Sequence, residues 1–345
     1  MTMGISMYDP RTMLEAIEQM LPVNTFLKST FFTNSRTFLT ETVDVDYYKG
    51  RRRMAPFVSP KLAGKVMERD GFTTNTYKPA LIKPLRPITT EDLLIRSIGE
   101  NIYTTKAPDE RAVELLARDL TDLDDAVTRR EEWMAAQTLF TGKVDMVGEG
   151  VNQTLDFDFT NKIMLSGADK WADPSSDPIG DLKNWRLTVI QKSGITPDTA
   201  VMASDVVEAF LNHLAVQKIL DNQRIKLGQI DPRTLPNGVT YLGSLTSLGL
   251  DLYSYDEWYF DETEGLEKPM VPPGTVLIAS TRARFSFHYG AVTLIGNNNQ
   301  FITYEGARVP DSWTEKNPPQ RFLALNSRPL PIPHEVESWY VAKVL

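Results

Sequence analysis

KGRRRMAPFVSPKLAGKVMERDGFTTNTYKPALIKPLR, Lys49 to Arg86, is followed almost at once by DERAVELLARDLTDLDDAVTRREEWMAAQTLFT, Asp109 to Thr141. The first stretch carries ten Lys and Arg against two carboxylates. Between Gly50 and Pro87, five prolines (Pro56, Pro60, Pro79, Pro84, Pro87) and glycines at 50, 64 and 71 forbid a continuous helix and favour extended chain. Asp70-Gly71 is a hairpin turn signal, with Lys65 to Arg69 and Phe72 to Tyr77 as its expected strands. A two-stranded ribbon is marginal in water by itself, so this one needs a surface to lie on.

The second stretch reads as one long helix. Pro108, Asp109 and Glu110 suit a first turn, where proline loses no hydrogen bond and carboxylates meet the positive end of the dipole. Apolar residues at Val113, Leu116, Leu120, Leu123, Val127 and Met134 form one stripe, and Gly142 supplies the stop. At 1.5 Å per residue the helix spans roughly 50 Å, the length of a domain. It is a strut.

Charge links the two stretches. The chain of 345 residues is formally -8, and the basic segment is +8 (10 minus 2), which leaves -16 for the remainder. Complementary charge within one gene product points to self-association. Arg51, Arg52 and Arg53 stand at the root of the ribbon, with Lys61, Lys65, Arg69, Phe72 and Tyr77 along it. From Asp109 to Glu132 the helix offers nine carboxylates against four arginines. The expectation is that the ribbon of one subunit crosses this region of the next, meeting Asp109, Glu110, Glu114, Asp122 and Asp125.

The composition, 41% apolar and 24% charged, is that of a globular chain forming one large or two medium domains. No run approaches the roughly 18 apolar residues of a membrane span, and Asp9, Arg11 and Glu15 around Met13 and Leu14 do not form a signal peptide. A cytosolic protein is expected. The absence of cysteine excludes disulfides, thiolate metal sites and cysteine nucleophiles. An acidic balance argues against nucleic acid as the main partner, because duplex binding draws on clustered Lys and Arg.

Along the chain, Arg11 to Leu21 has the spacing of a short amphipathic helix ended by Pro22. Thr25 to Phe32 is a mixed apolar run, and Thr37 to Tyr48 alternates as a single strand with one buried face. Val144 to Phe159 is strand-like around Gly148 and Gly150. Asp173-Pro174 and Asp177-Pro178 mark a linker before a helix from Ile179 to Ser193. Thr199 to Met202 reads as a strand entering a helix capped by Ser204 or Asp205 that runs to Leu220. Pro178 to about Pro273 thus reads as a second, mixed α/β domain. Strands are expected at Thr275 to Ala279, Ala283 to Tyr289, Val292 to Ile295, Phe301 to Tyr304, Arg321 to Leu325 and Ser338 to Val344, with Leu325 to Pro333 extended at a sheet edge.

Catalytic chemistry finds little foothold. The three histidines, 213, 288 and 334, lack zinc-helix spacing, and no Gly-x-Ser-x-Gly elbow, P-loop or dinucleotide fingerprint is present. No cofactor or metal is expected. Asp122, Asp124 and Asp125 spread over different faces of a helix and read as solvated. The acidic run from Asp251 to Glu267, interleaved with Tyr253, Tyr255, Trp258, Tyr259 and Phe260, is either a solvated loop beside a strand or a subunit contact through Tyr255, Trp258 and Tyr259.

In order, these parts are an N-terminal arm, a basic ribbon, a strut helix, an inserted α/β domain and closing strands. With Thr25 to Phe32, Pro56-Phe57-Val58-Ser59-Pro60 leading into Gly64-Lys65-Val66, Thr73 to Pro84, Leu139 to Val144 and Ser327-Arg328-Pro329-Leu330, the chain resembles the lambda-type major capsid proteins of tailed bacteriophages, which share the Hong Kong 97 capsid fold. The resemblance implies an α+β subunit. Its parts would be an arm (1–36), the first strand of a peripheral domain (37–48), an extended loop (49–86), a peripheral domain (87–177) with its spine helix (109–141), an axial domain (178–273) and closing strands shared by both domains (274–345). It implies a non-enzymatic protein that assembles with itself as hexamers and pentamers into the icosahedral head of the virion, around DNA bound without sequence specificity. The Met1 start, with only a short arm, implies a separate scaffolding protein. A portal protein and a decoration protein would be further partners, membranes would have no part, and assembly would take place in the host cytoplasm. An encapsulin-like compartment shell and a soluble α/β enzyme stay open as alternatives.

Overall fold

The computed structural model describes residues 25–48, 54–67, 71–95, 108–221, 233–234, 238–262, 264–296 and 299–345, together with positions 10, 13 and 17. Pro108–Thr141 is one helix of 34 residues. It stops where Gly142 takes φ +74°, a left-handed conformation, and packs so tightly that a Cβ there would overlap Phe159. The stripe is buried at Leu116, Leu120, Leu123, Val127 and Met134, whereas Val113 is exposed near the helix start. Met13 packs into this stripe with Leu323 and Leu325, and the described arm positions 10, 13 and 17 are helical.

The main core lies on a seven-stranded sheet in the order Lys162–Met164, Tyr340–Lys343, Thr275–Ala279, Thr199–Met202, Leu250–Tyr255, Val239–Leu245, Arg233–Thr234. Thr199–Met202 and Thr275–Ala279 are buried at every position, as central strands should be. The helix Pro178–Ser193 starts with the Asp177 carboxylate accepting from the Gly180 N–H and buries Leu182, Trp185 and Val189. Three strands of the sheet lie outside the 178–273 interval, so that interval does not close its sheet alone. A second sheet joins Asn34–Phe38, Phe285–Gly290 and Pro329–Pro333, with the proline-rich strand at its edge.

Three expectations are corrected, and one strand is new. Thr37 to Tyr48 is not one strand: Asn34–Phe38 runs parallel to Phe285–Gly290, a turn closed by Thr40 Oγ1 donating to the Thr42 carbonyl follows, and Val43–Tyr48 pairs elsewhere. Alternation reads the same through such a corner. The partner of Phe72–Tyr77 is Val43–Tyr48 rather than the local segment before Asp70-Gly71, and 63–67 form no strand. The long-range pairing buries Val45, Tyr47 and Tyr77, and the Tyr47 hydroxyl lies 3.1 Å from that of Tyr77. A local hairpin would have had no comparable apolar face.

The helix after Met202 begins at Ser204 with Ala203 as its cap and no side-chain cap bond. It breaks at His213 before Leu214–Asp221. The strand Val309–Lys316 was not expected at all. It is a polar edge strand, three of its eight positions exposed, that pairs with Pro319–Asn326, which also holds Leu85–Thr89.

Candidate assembly surfaces

The spine helix carries a buried ionic hub. Glu131 and Glu132 are fully buried although both are charged residues. Glu131 meets Arg308 through two guanidinium nitrogens, at 2.5 and 3.0 Å, and Lys28 at 2.6 Å. Burial opposes its ionisation, but Arg308 and Lys28 outweigh it and hold the carboxyl below its ordinary value. Arg308 also reaches Asp124 at 2.5 Å and Thr128 at 3.0 Å.

Glu132 accepts from the backbone N–H groups of Phe26, Leu27 and Lys28, at 2.7 to 3.0 Å, and from the Tyr255 hydroxyl at 3.0 Å. It thereby serves the orphan donors of the short helix Leu27–Phe31. Burial still pushes its carboxyl up against those four donors. The hub therefore ties the arm, the spine, the sheet and the closing strands together.

A second ion pair fixes the end of the ribbon. Arg86 Nη1 contacts Asp119 at 2.8 Å and Asp122 at 2.7 Å. Five of the nine helix carboxylates, Asp119, Asp122, Asp124, Glu131 and Glu132, thus take partners within their own chain. Asp122, expected to meet a neighbour, pairs with Arg86. Asp109, Glu110 and Glu114 are exposed near the helix start, and Asp125 is half-buried with its carboxyl raised by burial and then by Asp124.

The ribbon is open to solvent over its described segment 54–67. Every position from 54 to 67 is exposed, including Phe57 at 106%, Met54 at 91% and Val66 at 89%, and so are Lys61 and Lys65. Arg51, Arg52, Arg53 and Arg69 and the side chain of Phe72 lie outside the described residues. Tyr77 is buried within its own chain.

The acidic aromatic run forms a hairpin, Trp258–Asp261 against Leu266–Pro269. Trp258 and Phe260 are exposed, and Tyr259 turns inward to set its ring 6.3 Å from that of Trp133. Tyr255, expected as an exposed contact, is instead buried against Glu132 and Phe26. It belongs to the strand before the hairpin, where alternation turns it inward.

Sequence reasoning missed Arg308, Lys28, Glu131 and Glu132. One signal was present: the apolar stripe steps from Val127 to Met134, and the position that completes it is Glu131. A charge on the buried face of a helix demands a buried cation, but nothing local says that the cation is 177 residues away.

The match to known proteins covers the whole arrangement. The model of the family described as phage major capsid protein E matches residues 9–344. The chain is 27% identical to the major capsid protein of Escherichia phage lambda over 335 residues, covering 94% of this chain and 96% of that one. It is 25% identical to that of Escherichia phage N15 over the same length and with the same coverage. A prophage capsid protein from E. coli CFT073 shares the fold with a TM-score of 0.68 at 20% identity, over 96% of this chain and 95% of that chain. The fold is thus the Hong Kong 97 type of the phage capsids. Among the described residues, no helix is long and apolar enough to cross a membrane. The chain belongs to the phage major capsid protein E family and is a major capsid protein of a tailed phage, a structural protein of the virion shell.

Proposed function

We propose that this chain closes as hexamers and pentamers into an icosahedral head around packaged DNA, held without sequence-specific contacts. In this reading 49–86 is the extended loop, 87–177 the peripheral domain and 178–273 most of the axial domain. A separate scaffolding protein, a portal protein and a decoration protein complete the head, and assembly proceeds in the host cytoplasm. The neighbour-facing residues are Arg51, Arg52, Arg53, Lys61, Lys65 and Arg69 on the loop, with Asp109, Glu110, Glu114 and Asp125 on the spine and Trp258 on the hairpin.

The observation that carries the reading is the exposed apolar tip of the loop. Met54, Phe57, Leu62 and Val66 find no cover among the described residues, and apolar surface of this kind marks a protein contact. Shells need repeated contacts of modest strength, which extended arms provide. The test is negative-stain electron microscopy of the full chain, expressed alone and with its neighbouring head genes. Closed shells or six- and five-membered rings are the expected result. Only monomers or dimers under every condition would overturn it.

A further inference from the structure

We infer that the loop tip 54–67 of one copy docks on the acidic hairpin Trp258–Pro269 of a second copy, with Lys61 and Lys65 against Glu262 and Glu267 and the loop's apolar residues on Trp258 and Phe260. This rests on the self-assembly reading above and names the receiving surface.

The helix region first expected to receive the loop exposes Asp109, Glu110 and Glu114 near its start, but Val113 is the one large apolar side chain exposed along it among the described residues. Five of its carboxylates are engaged by Arg86, Arg308, Lys28, Tyr255 and the turn at Phe26–Lys28. The hairpin differs. Residues 256–267 hold six carboxylates and no cation. Lys268 binds Asp261 and Glu264, both at 2.7 Å. Among the described residues, no cation forms an ion pair with Glu257, Glu262 or Glu267.

The outward face carries the apolar half of the match. Trp258 and Phe260 alternate onto one side, with Glu267 directly opposite Phe260 in the register. They are 52% and 60% exposed. Two uncovered aromatics rimmed by carboxylates have the composition of an interface core with its polar rim. The loop tip offers the complement: apolar residues interleaved with Lys61 and Lys65, and no carboxylate between 54 and 67.

Two other exposed apolar surfaces lack that complement. The hairpin of Val292–Ile295 and Phe301–Tyr304 exposes Ile295 and Phe301 but carries no charge from 292 to 304. The groove of about 410 Å³ beside Trp133 is lined by Lys83 and Arg130 as well as Asp145 and Glu149, so its charge is balanced. Because both loop tip and hairpin face are exposed in one chain, the contact joins two copies head to tail. Such a contact propagates around a ring.

Charge reversal tests the contact on the full-length protein assembled as above. Lys61→Glu with Lys65→Glu, or Glu262→Lys with Glu267→Lys, should each lower the yield of shells on the order of tenfold, because attraction becomes repulsion at two sites. All four changes in one chain should restore it. Circular dichroism checks that each variant folds.

Cross-linking supplies an independent readout, since the chain has no cysteine of its own. Leu62→Cys with Leu266→Cys, treated with a short bismaleimide in assembled shells, should give a ladder of linked multimers. Leu62→Cys with Val147→Cys, which places the second thiol at the Trp133 groove, should give none. Folded charge-reversed variants that assemble as well as the parent, no rescue in the fourfold variant, or a ladder through Val147→Cys alone would overturn the docking. A parent chain that forms no shells would instead remove the assembly reading.

Discussion

Arg308→Met should be among the most damaging single changes in the chain. The Arg308 side chain is 12% exposed and the Glu131 side chain 0%. Removing one partner of a buried ion pair costs about 3–5 kcal/mol, because it strands the other charge. Lys28 remains 2.6 Å from Glu131, which places the expected loss at the lower end, about 3 kcal/mol. Urea unfolding of the unassembled full chain, followed by tryptophan fluorescence, measures it.

The pH dependence separates a stranded charge from simple loss of packing. In the parent, Glu131 is held below its ordinary value of 4.5, so the stability it contributes is full above about 4.5 and is lost as pH falls. In the variant, protonation relieves the stranded carboxylate. The deficit should therefore be largest near neutrality and shrink on acidification below about pH 5. Adding Glu131→Leu should recover more than about 1 kcal/mol of the loss, since the costly state is the unpaired one. A deficit under about 1 kcal/mol at neutral pH, or one that does not change with acid, would refute the assignment of this hub as a buried ionic lock.

Other outcomes follow from single features. Glu132→Ala leaves the Leu27 N–H and the Tyr255 hydroxyl without their buried acceptor and should cost about 2–4 kcal/mol by denaturant unfolding. Gly142→Ala forces a side chain into a left-handed position against Phe159 and should lower stability by more than about 2 kcal/mol in the same assay. Burial, and then His334 and Arg36, lower His288 from 6.5 to about 4. The stability from its neutral form is full above about pH 6.5 and is lost as pH falls toward about 4. His288→Gln should accordingly flatten thermal stability against pH across that window. Trp339→Ala removes a fully buried ring stacked on Phe159 whose indole N–H donates to the Leu139 carbonyl, and should cost about 3–5 kcal/mol by urea unfolding.

Much of the fold was legible because its decisive signals are local. The spine helix announced itself through Pro108, the stripe and Gly142, and the helix Pro178–Ser193 through Asp177 and its own apolar face. Strands buried on both sides, such as Thr199–Met202, showed as short apolar runs. What escaped was set by partners distant in sequence. The corner after Phe38 arises because two halves of one alternating run pair with strands at 285–290 and 72–77. Val309–Lys316 hides because an edge strand facing water needs no apolar pattern. The hub escaped for the same reason: Glu131 marked a buried charge, but Arg308 looks like any surface arginine until the closing strands return it to the spine.

Intrachain pairing also decides where a neighbour can act electrostatically. A carboxylate already held at 2.5 to 3.0 Å by its own chain cannot be given to a second subunit without stranding its first partner, at a cost larger than an exposed contact returns. From Asp119 to Glu132 the spine is thus largely committed to holding the subunit together, and the hairpin sets its uncommitted carboxylates beside exposed aromatics. Each Lys–Glu contact there contributes only about 0.2–1 kcal/mol and is screened by salt, so one copy of it would not hold two subunits. Added to the burial of Phe57, Leu62 and the hairpin aromatics and repeated around a closed ring, it specifies register while single contacts stay reversible. A shell that must correct errors during assembly requires that combination, and the docking proposed for the loop tip supplies it.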